Sequence, residues 1–480
     1  MSKEPAPEKL TRKSEDMSRW YTDVIRMAKL ADYAPVRGCM VIMPYGFALW
    51  ENMRDALDKR IKETGHVNAY FPLLIPESLL KKEAEHVEGF APEVAWVTKG
   101  GGEDLEEPLA IRPTSEAIIC QMYGKWIQSW RDLPVLINQW ANILRWEKVT
   151  RLFIRTTEFL WQEGHTAHET EAEAEAEALK MLEVYREFME TELAMPVIVG
   201  KKSESEKFAG AKTTYTLEAL MSDGKALQAG TSHNLGQFFA KAFDITFIDR
   251  DEKRKHVWQT SWGVSTRLVG GLVMAHGDDA GLLFPPRLAP TQTVIVPIWN
   301  DDTKQAVGAA VEELSKRLKA AGWRVETDLR NEYRPGWKFS EHELRGVPLR
   351  LEIGPKDIEN SQFVAVRRDT GEKIIIPQAE IEAKVEGLLE EIRWSMYDKA
   401  LMFQKNNTFV VESLTDMKNV MEKTKGFIDT HWCLDSVCED KVKAETKATV
   451  RLLPFDGEQS EGLCVVCGKK GKRAIFAQAY

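Results

Sequence analysis

Between Ile143 and His165 the chain reads ILRWEKVTRLFIRTTEFLWQEGH, and the second half of this stretch alternates with a period of two. Read as a strand, it puts Arg155, Thr157, Phe159, Trp161, Glu163 and His165 on one face, opposite an arm carrying Arg145 and Glu147. A core-facing strand would not set an arginine, a carboxylate and a histidine beside two large aromatics, because buried charge is costly unless it is paired. Such a surface belongs to a cleft, half aromatic floor and half charge clamp. The chain must therefore build a sheet with one face reserved for a ligand.

Size and charge narrow what that ligand can be. A chain of 480 residues accommodates two to four domains. Its formal net charge of -9 argues against nucleic-acid binding by bulk electrostatics, so any such contact must rest on local sites. No apolar run reaches membrane-spanning length, and the polar start MSKEPAPEKLTRKSEDMSRW is unlike a secretory signal. A cytoplasmic protein is expected. Of six cysteines, Cys433, Cys438, Cys464 and Cys467 fall in the last fifty residues, which reads as a metal site rather than a disulfide framework.

Along the chain, residues 1–17 are polar and expected to be flexible, and a helical pattern begins near Asp16. Pro44 opens a long helix at an N-terminal position, and NAYFPLLIP is a strand broken by Pro72. Short polar-rich strands then alternate with helices to about 290; HETEAEAEAEALKMLEVYREFMETEL reads as a long helix with a solvated glutamate face. Prolines in LFPPRLAP mark a linker, after which strands and helices alternate in an α/β unit of roughly 100 residues. The expected division is a flexible segment at 1–17, a catalytic domain at 18–285, an α/β domain at 286–390 and a cysteine-bearing domain at 391–480.

Two further polar clusters accompany the hairpin. LAIRPTSEAIICQMYGKW places Arg112, Thr114, Ser115 and Glu116 before a helix, where an ordinary N-cap is the competing reading. KALQAGTSHNLGQFF carries Gln228, Thr231 and His233 on a glycine-containing strand, and QTSWGVSTRLVGG carries Ser261, Trp262, Gly263 and Arg267 at a strand-to-helix junction. Arginine forks fit phosphates, an aromatic offers a plate for a purine, and carboxylates suit an amine. The combination suggests a nucleotide plus a small amino-bearing substrate. Neither a GxxxxGK[ST] loop nor a GxGxxG after a strand is present.

On these residues the chain resembles the class II aminoacyl-tRNA synthetases, and specifically the prolyl-tRNA synthetases of archaeal/eukaryotic type. FALWENMRDALDKRIKETGHVNAYFPLL with Pro72 resembles motif 1, Arg145 to Phe159 resembles motif 2, and WGVSTRLVG with Arg267 resembles motif 3. The strings RPTSE, TEFLWQEGHTAH, QAGTSHNLGQ, TSWGVSTRL and HGDDAGLLFPPRLAP are more specific and occur in order. The resemblance runs from about residue 18 to Tyr480. It implies a class II antiparallel-sheet catalytic domain, an α/β anticodon-binding domain and a small C-terminal zinc-binding α/β domain, an α+β arrangement overall.

The resemblance also implies the chemistry. L-proline attacks ATP through its carboxylate, with Mg²⁺, and the prolyl-adenylate acylates tRNA(Pro). Arg145 and Arg267 match the arginines that clamp the α- and γ-phosphates, Glu147, Thr156 and Phe159 the adenine and ribose side, and Gln228 and Thr231 the ribose and metal-bearing phosphates. Thr114, Glu116, Arg145, Trp161, Glu163, His233 and Ser261 match the proline pocket. One departure stands out: RTTEF places Thr157 where relatives often carry arginine.

Outside the catalytic domain, Glu343, Arg350 and Lys356 match positions that read the two guanines of a proline anticodon, where a solvated strand and loop is the plain reading. CLDSVC and CVVC supply four thiolates for a structural Zn²⁺ with no open coordination position. His165 and His168 read as polar packing rather than a metal pair. The terminal Tyr480 matches a family tyrosine whose carboxylate approaches the active site. A homodimer through the motif 1 region is implied, and the short span between motifs 2 and 3 leaves no room for an inserted editing domain. Cysteine and alanine are then expected to be misactivated. A threonyl-specific enzyme would show zinc ligands in its amino-acid pocket, and a non-catalytic tRNA-binding paralogue would lack Arg145 or Arg267.

Overall fold

The computed structural model describes residues 9–84, 94–457 and 460–480. Of the segment expected to be flexible, residues 1–8 lie outside the described residues, while 9–16 are tied to the body of the protein. The Lys13 ammonium donates to the Met274 and Gly277 carbonyls at 2.9 and 2.6 Å, and the Thr11 hydroxyl donates to Asp23 at 2.5 Å. Asp16 then caps the Met17–Met27 helix by accepting from the Arg19 N–H. The expected flexible stretch is thus narrowed by contacts that polarity alone does not reveal.

Among the described residues, 12 strands join one sheet. Its first part runs Ile198–Lys201, Thr213–Leu220, Ala226–Gly236, Trp258–Ser265, Glu158–His168, Val135–Leu144 and Val67–Asn68, antiparallel except for the last, parallel pair. One face packs against Glu171–Thr191, Pro44–Glu63 and Arg267–His276, around a core that includes Tyr185, Phe188, Met181, Leu268 and Leu272. Pro44 does occupy the first turn of its helix.

The Glu171–Thr191 helix is less solvated than its Glu-Ala repeat suggests. Glu177 is buried with His66 at 3.2 Å, and Glu175 accepts from Asn234 at 2.6 Å, so part of the acidic face points inward and is paired.

The second domain holds a five-stranded sheet in the order Val325–Thr327, Thr293–Pro297, Leu349–Ile353, Gln362–Arg367, Lys373–Pro377. The first three strands are parallel and the rest antiparallel, with Lys304–Ala320 and Ile381–Asn406 covering its apolar core. The helix Ile381–Asn406 carries the chain past residue 390 without a break and into the cysteine-bearing part.

That last part does not stand apart from the large sheet. Thr449–Pro454 pairs antiparallel with Ile198–Lys201, Leu453 opposite Lys201 and Pro454 opposite Gly200, and the sheet continues through Lys470–Ala477, Phe427–Trp432 and Thr408–Val410. At the terminus, the Tyr480 N–H donates to the Ala226 carbonyl at 3.3 Å.

Candidate active site

The Glu158–His168 strand lies between Val135–Leu144 and Trp258–Ser265, so its ligand face has a neighbour on both sides. Phe159, Trp161, Glu163 and His165 line one cavity of about 320 Å³, as the period of two requires. The alternation does not extend further back. Regular strand begins at Glu158, after a turn in which Arg151 bridges Arg155 and Phe153 takes a φ of 61°. Thr157 is 2% exposed and faces the loop at Gly38 rather than the cavity. Its N–H donates to the Gly38 carbonyl and its carbonyl accepts from the Arg145 N–H, each at 2.8 Å. A Cβ on Gly38, at φ +80°, would lie 2.2 Å from the Thr157 hydroxyl oxygen, so only glycine permits this approach.

The three clusters converge. Thr114, Glu116, Arg145, Phe159, Trp161, Glu163, Gln228, Thr231, His233, Ser261 and Arg267 all line the same cavity. Glu147 and Thr156 do not. Glu147 sits 4.0 Å from Arg155 on the exposed turn, and the Thr156 hydroxyl donates to the Glu158 carbonyl at 2.7 Å.

One end of the cavity is cationic. The Arg145 guanidinium donates from Nε to the Pro113 carbonyl at 3.0 Å and lies 5.7 and 5.6 Å from the Phe159 and Trp161 rings. Arg267 opens its helix and donates to the Ile154 carbonyl at 3.1 Å. Burial pulls the Arg267 pKa down to about 10, and repulsion from Arg155 and Arg145 adds to the effect. The hydrogen bonds from these guanidinium Nε atoms go to neutral carbonyls, and although Glu116, Glu163 and Glu147 act on Arg145 through space, the forks remain able to bind a polyanion between them.

The other end is acidic and closely hydrogen-bonded. Ser115 does stand at the N-cap with Glu116 in the first turn, as the N-cap reading has it, but its side chain makes no cap bond to the helix. Instead the Ser115 hydroxyl donates to Glu163 at 2.5 Å, and the Thr114 hydroxyl donates to Glu116. Glu163 also accepts from the Gln139 amide at 2.7 Å and pairs with His165 at 3.0 Å. Burial opposes its charge, but His165, Ser115 and Gln139 together hold the Glu163 carboxyl below the usual range. Burial likewise opposes charging of His165, and Glu163 and Glu116 outweigh it, raising that imidazole.

His233 is the opposite case: burial, then the nearby His165 charge, lowers it to about 3, leaving a neutral ring bonded through Nδ1 to Thr214 at 2.9 Å. His168 contacts Thr166 at 2.7 Å. Gly164 lets the Trp262 ring lie on the strand, because a Cβ there would come within 2.1 Å of it.

The remaining walls were not anticipated. Lys202, Glu206, Phe208 and Thr214 complete the cavity, and the Phe208 ring stands 4.8 Å from that of His233. The run KKSESEKF has no period to flag it. Tyr480 is absent from the walls; its ring lies 5.5 Å from Arg151 in the motif 2 turn, and its backbone is held to the strand that carries Gln228.

Two other sites stand apart. The four sulfurs of Cys433, Cys438, Cys464 and Cys467 lie within 4.8 Å of one another, and those of Cys433 and Cys467 are 3.7 Å apart. Tetrahedral zinc with sulfur at about 2.3 Å needs sulfurs roughly 3.8 Å apart, so the donor set and spacing fit that ion. In the second domain Glu343 and Arg350 meet at 2.8 Å, Arg350 also pairing with Glu352 at 3.0 Å and lying 4.0 Å from the Phe339 ring. Both line a small polar cavity with Arg367 and Arg368; Lys356, on the short helix Pro355–Glu359, is outside it.

Comparison with known proteins agrees with this layout. Residues 96–276 match the family model described as tRNA synthetase class II core domain (G, H, P, S and T), 292–388 an anticodon binding domain, and 414–480 the C-terminal part of prolyl-tRNA synthetase. The chain is 60% identical over 474 residues to a Proline--tRNA ligase of Natranaerobius thermophilus, with 98% of each chain covered. Against that of Rubrobacter xylanophilus the identity is 59% over 475 residues, with 99% of each covered. Against Proline--tRNA ligase 2 of Clostridioides difficile it is 56% over 474 residues, with 98% of each covered.

Proposed function

The chain belongs to the proline--tRNA ligases, class II aminoacyl-tRNA synthetases that charge tRNA with proline, and we propose that it acts through a prolyl-adenylate formed in the cavity described above. A carboxylate oxygen of L-proline attacks the α-phosphorus of ATP, which enters as its Mg²⁺ complex. The bond to pyrophosphate breaks as the new anhydride forms, and the terminal ribose hydroxyl of tRNA(Pro) then displaces AMP.

The carrying observation is the polarity of the cavity: Arg145 and Arg267 line it together with Glu116 and Glu163. In this reading the arginines hold the α- and γ-phosphates and stabilise charge developing on phosphorus and pyrophosphate. Glu116 accepts from the secondary ammonium of proline, with Thr114 orienting it, and Trp161, His233 and Ser261 wall the ring. Glu163 is already held by Ser115, Gln139 and His165, which suits it to supply fixed negative charge. Phe159 provides the plate for adenine, and Gln228 and Thr231 the ribose and phosphate side. For Glu147 and Thr156, which lie off the cavity walls, an adenine-side role rests on the family resemblance alone. No general base is required, since the attacking carboxylate is already ionised, and catalysis is positional.

Elsewhere, the four cysteines hold a structural Zn²⁺, leaving it no open position. Glu343 and Arg350 read anticodon guanine, with Lys356 approaching from its own helix. The exposed Val67 and Tyr70, in the motif 1 region, support a homodimer there. We assign 18–285 to the catalytic unit, 286–390 to the anticodon-binding unit and 391–480 to the zinc-bearing unit, with no editing insertion. This architecture is the archaeal/eukaryotic type, although the relatives named above come from bacteria. No helix among the described residues is long and apolar enough to cross a membrane, which accords with a cytoplasmic enzyme.

ATP–pyrophosphate exchange by the purified protein, without tRNA and with proline, threonine, cysteine or alanine in turn, tests the reading. Exchange should be strongest with proline and weaker with cysteine and alanine. No exchange with any of them, from folded zinc-loaded protein, would overturn it.

A further inference from the structure

The cavity wall that the sequence did not announce, Lys202 to Phe208, forms no helix or regular strand. Its shape is set by turns: the Lys207 N–H donates to the Ser203 carbonyl at 2.9 Å, and the Phe208 N–H donates to the Thr214 hydroxyl at 2.9 Å. A segment of this kind needs outside restraint to present Lys202, Glu206 and Phe208 to a ligand in one arrangement. The restraint comes from more than 200 residues away. The Ser205 hydroxyl donates to Glu439 Oε2 at 2.7 Å, and the Ser203 hydroxyl to Glu439 Oε1 at 3.3 Å. Glu439 is 7% exposed and stands in the first turn of Ser436–Thr446, directly after Cys438.

We propose that Glu439 is a positioning residue for the amino-acid end of the cavity, by which the cysteine cluster holds the Lys202–Phe208 wall in its binding geometry. Three observations carry this. One buried carboxylate accepts from both serine hydroxyls, which also lie 3.0 Å from each other, so its removal takes away the charged acceptor that ties the buried Ser203 and the exposed Ser205 to the C-terminal part. A parallel tie grips the same segment: Lys202 Nζ meets Glu218 at 2.8 Å, and Arg451 of the C-terminal part meets Glu218 at 3.0 Å, with all three side chains no more than 7% exposed. Finally, the first turn of the helix that carries Glu439 contains Cys438, one of the four clustered sulfurs, so an ion bound there fixes where the carboxylate points.

The effect is local. Phe208 packs against His233 at 4.8 Å, in the half of the cavity assigned to proline, whereas Arg145 and Arg267 are held by the Pro113 and Ile154 carbonyls and owe nothing to Glu439. Loosening the wall therefore weakens proline binding and spares ATP. The inference rests on the proline reading of this cavity, and its test separates the two.

Glu439→Ala, Glu439→Gln and Ser205→Ala would be compared with Glu116→Gln in pyrophosphate exchange, with KM for proline and for ATP measured separately. Bound zinc would be assayed, and amide hydrogen exchange followed across residues 202–208. Glu439→Ala should raise the proline KM about tenfold, the scale of a lost hydrogen bond to a charged group, with the ATP KM and zinc content unchanged. Ser205→Ala should move the same way by less, and Glu439→Gln, which keeps an acceptor oxygen, should recover most of the loss. Amide exchange at 202–208 should quicken in Glu439→Ala, and also in wild-type protein stripped of metal by a chelator. An unchanged proline KM in both Glu439→Ala and Ser205→Ala, with Glu116→Gln raising it, overturns the positioning role alone. Equal rises in both KM values reduce Glu439 to a stability contact and overturn it as well. An unchanged proline KM in Glu116→Gln too overturns the reading of the cavity, and the inference falls with it.

Discussion

Arg368 of the anticodon-binding domain closes a two-pronged ion pair on Asp278 of the catalytic domain, its Nη2 and Nη1 standing 2.6 and 2.8 Å from the two carboxylate oxygens. The same guanidinium donates from Nε to the carbonyl of Glu343 at 3.1 Å. Asp278 follows closely on the Arg267–His276 helix, so a single side chain joins the residue assigned to the anticodon with the far end of the helix that begins at Arg267. Arg368→Ala should slow tRNA charging about tenfold, as loss of a partly buried charged bond implies, and leave tRNA-free pyrophosphate exchange nearly intact. Equal loss in both assays would confine its role to the catalytic domain.

Arg145→Ala and Arg267→Ala should each lower proline-dependent pyrophosphate exchange by about 100-fold or more, the scale of a lost preorganised charge at a transition state. Lysine should rescue poorly at position 145, because the site uses a planar fork lying near two aromatic rings and bonded through Nε. Near wild-type exchange in Arg145→Ala would contradict the clamp.

How far the sequence alone reached differs from place to place. Phe159 to His165 were legible because alternation is a local property of a strand, and Arg267 because a strand-to-helix junction shows in the string itself. The turn before the strand was not: the Arg151–Arg155 bridge and the left-handed Phe153 break the period, which is why Thr157 faces Gly38 and why Glu147 and Thr156 lie off the cavity. Lys202, Glu206 and Phe208 were invisible for another reason. Their segment is held by side-chain contacts to Glu439 and through Glu218 to Arg451, and no local pattern encodes partners that distant.

The cysteine cluster should contain one zinc per chain by metal analysis, and Cys464→Ser should abolish it. Losing the ion removes the centre around which Cys438, Cys464, Trp432 and Val442 pack, so residues 414–480 should lose amide protection while the anticodon-binding domain keeps it. Full protection of 414–480 in zinc-free protein would refute a structural role.

Acid should unfold the protein through its buried neutral histidines. The His276 Nε2 lies 2.9 Å from the Leu193 carbonyl, and burial lowers its pKa to about 4. The unfolded chain takes up a proton near pH 6.5 and the native ring does not, so stability is lost as pH falls from about 6.5 towards the folded value, on the order of 3 kcal/mol for this group. His168, at about 4, and His233, at about 3, act with the same sign. The urea midpoint should fall steeply between those limits, and His276→Gln should flatten the slope. A midpoint independent of pH across that window would rule the mechanism out.

Alanyl-tRNA(Pro) incubated with the pure enzyme should survive at the rate of the buffer control. The pocket itself can reject small amino acids only by about 10- to 200-fold, since a methylene is worth little in discrimination. Hydrolysis above background would show that an editing activity resides in this chain.

The pairing of Leu453 with Lys201 also has a consequence for synthesis of the chain on the ribosome. The strand Ile198–Lys201 emerges early, but the segment that covers its outer edge is made some 250 residues later. Until then the growing catalytic sheet ends in a row of unpaired N–H and C=O groups, open to any other extended chain nearby. Chains cut short before Thr449 carry that exposed edge permanently and are the ones expected to aggregate, whatever the state of their active-site residues.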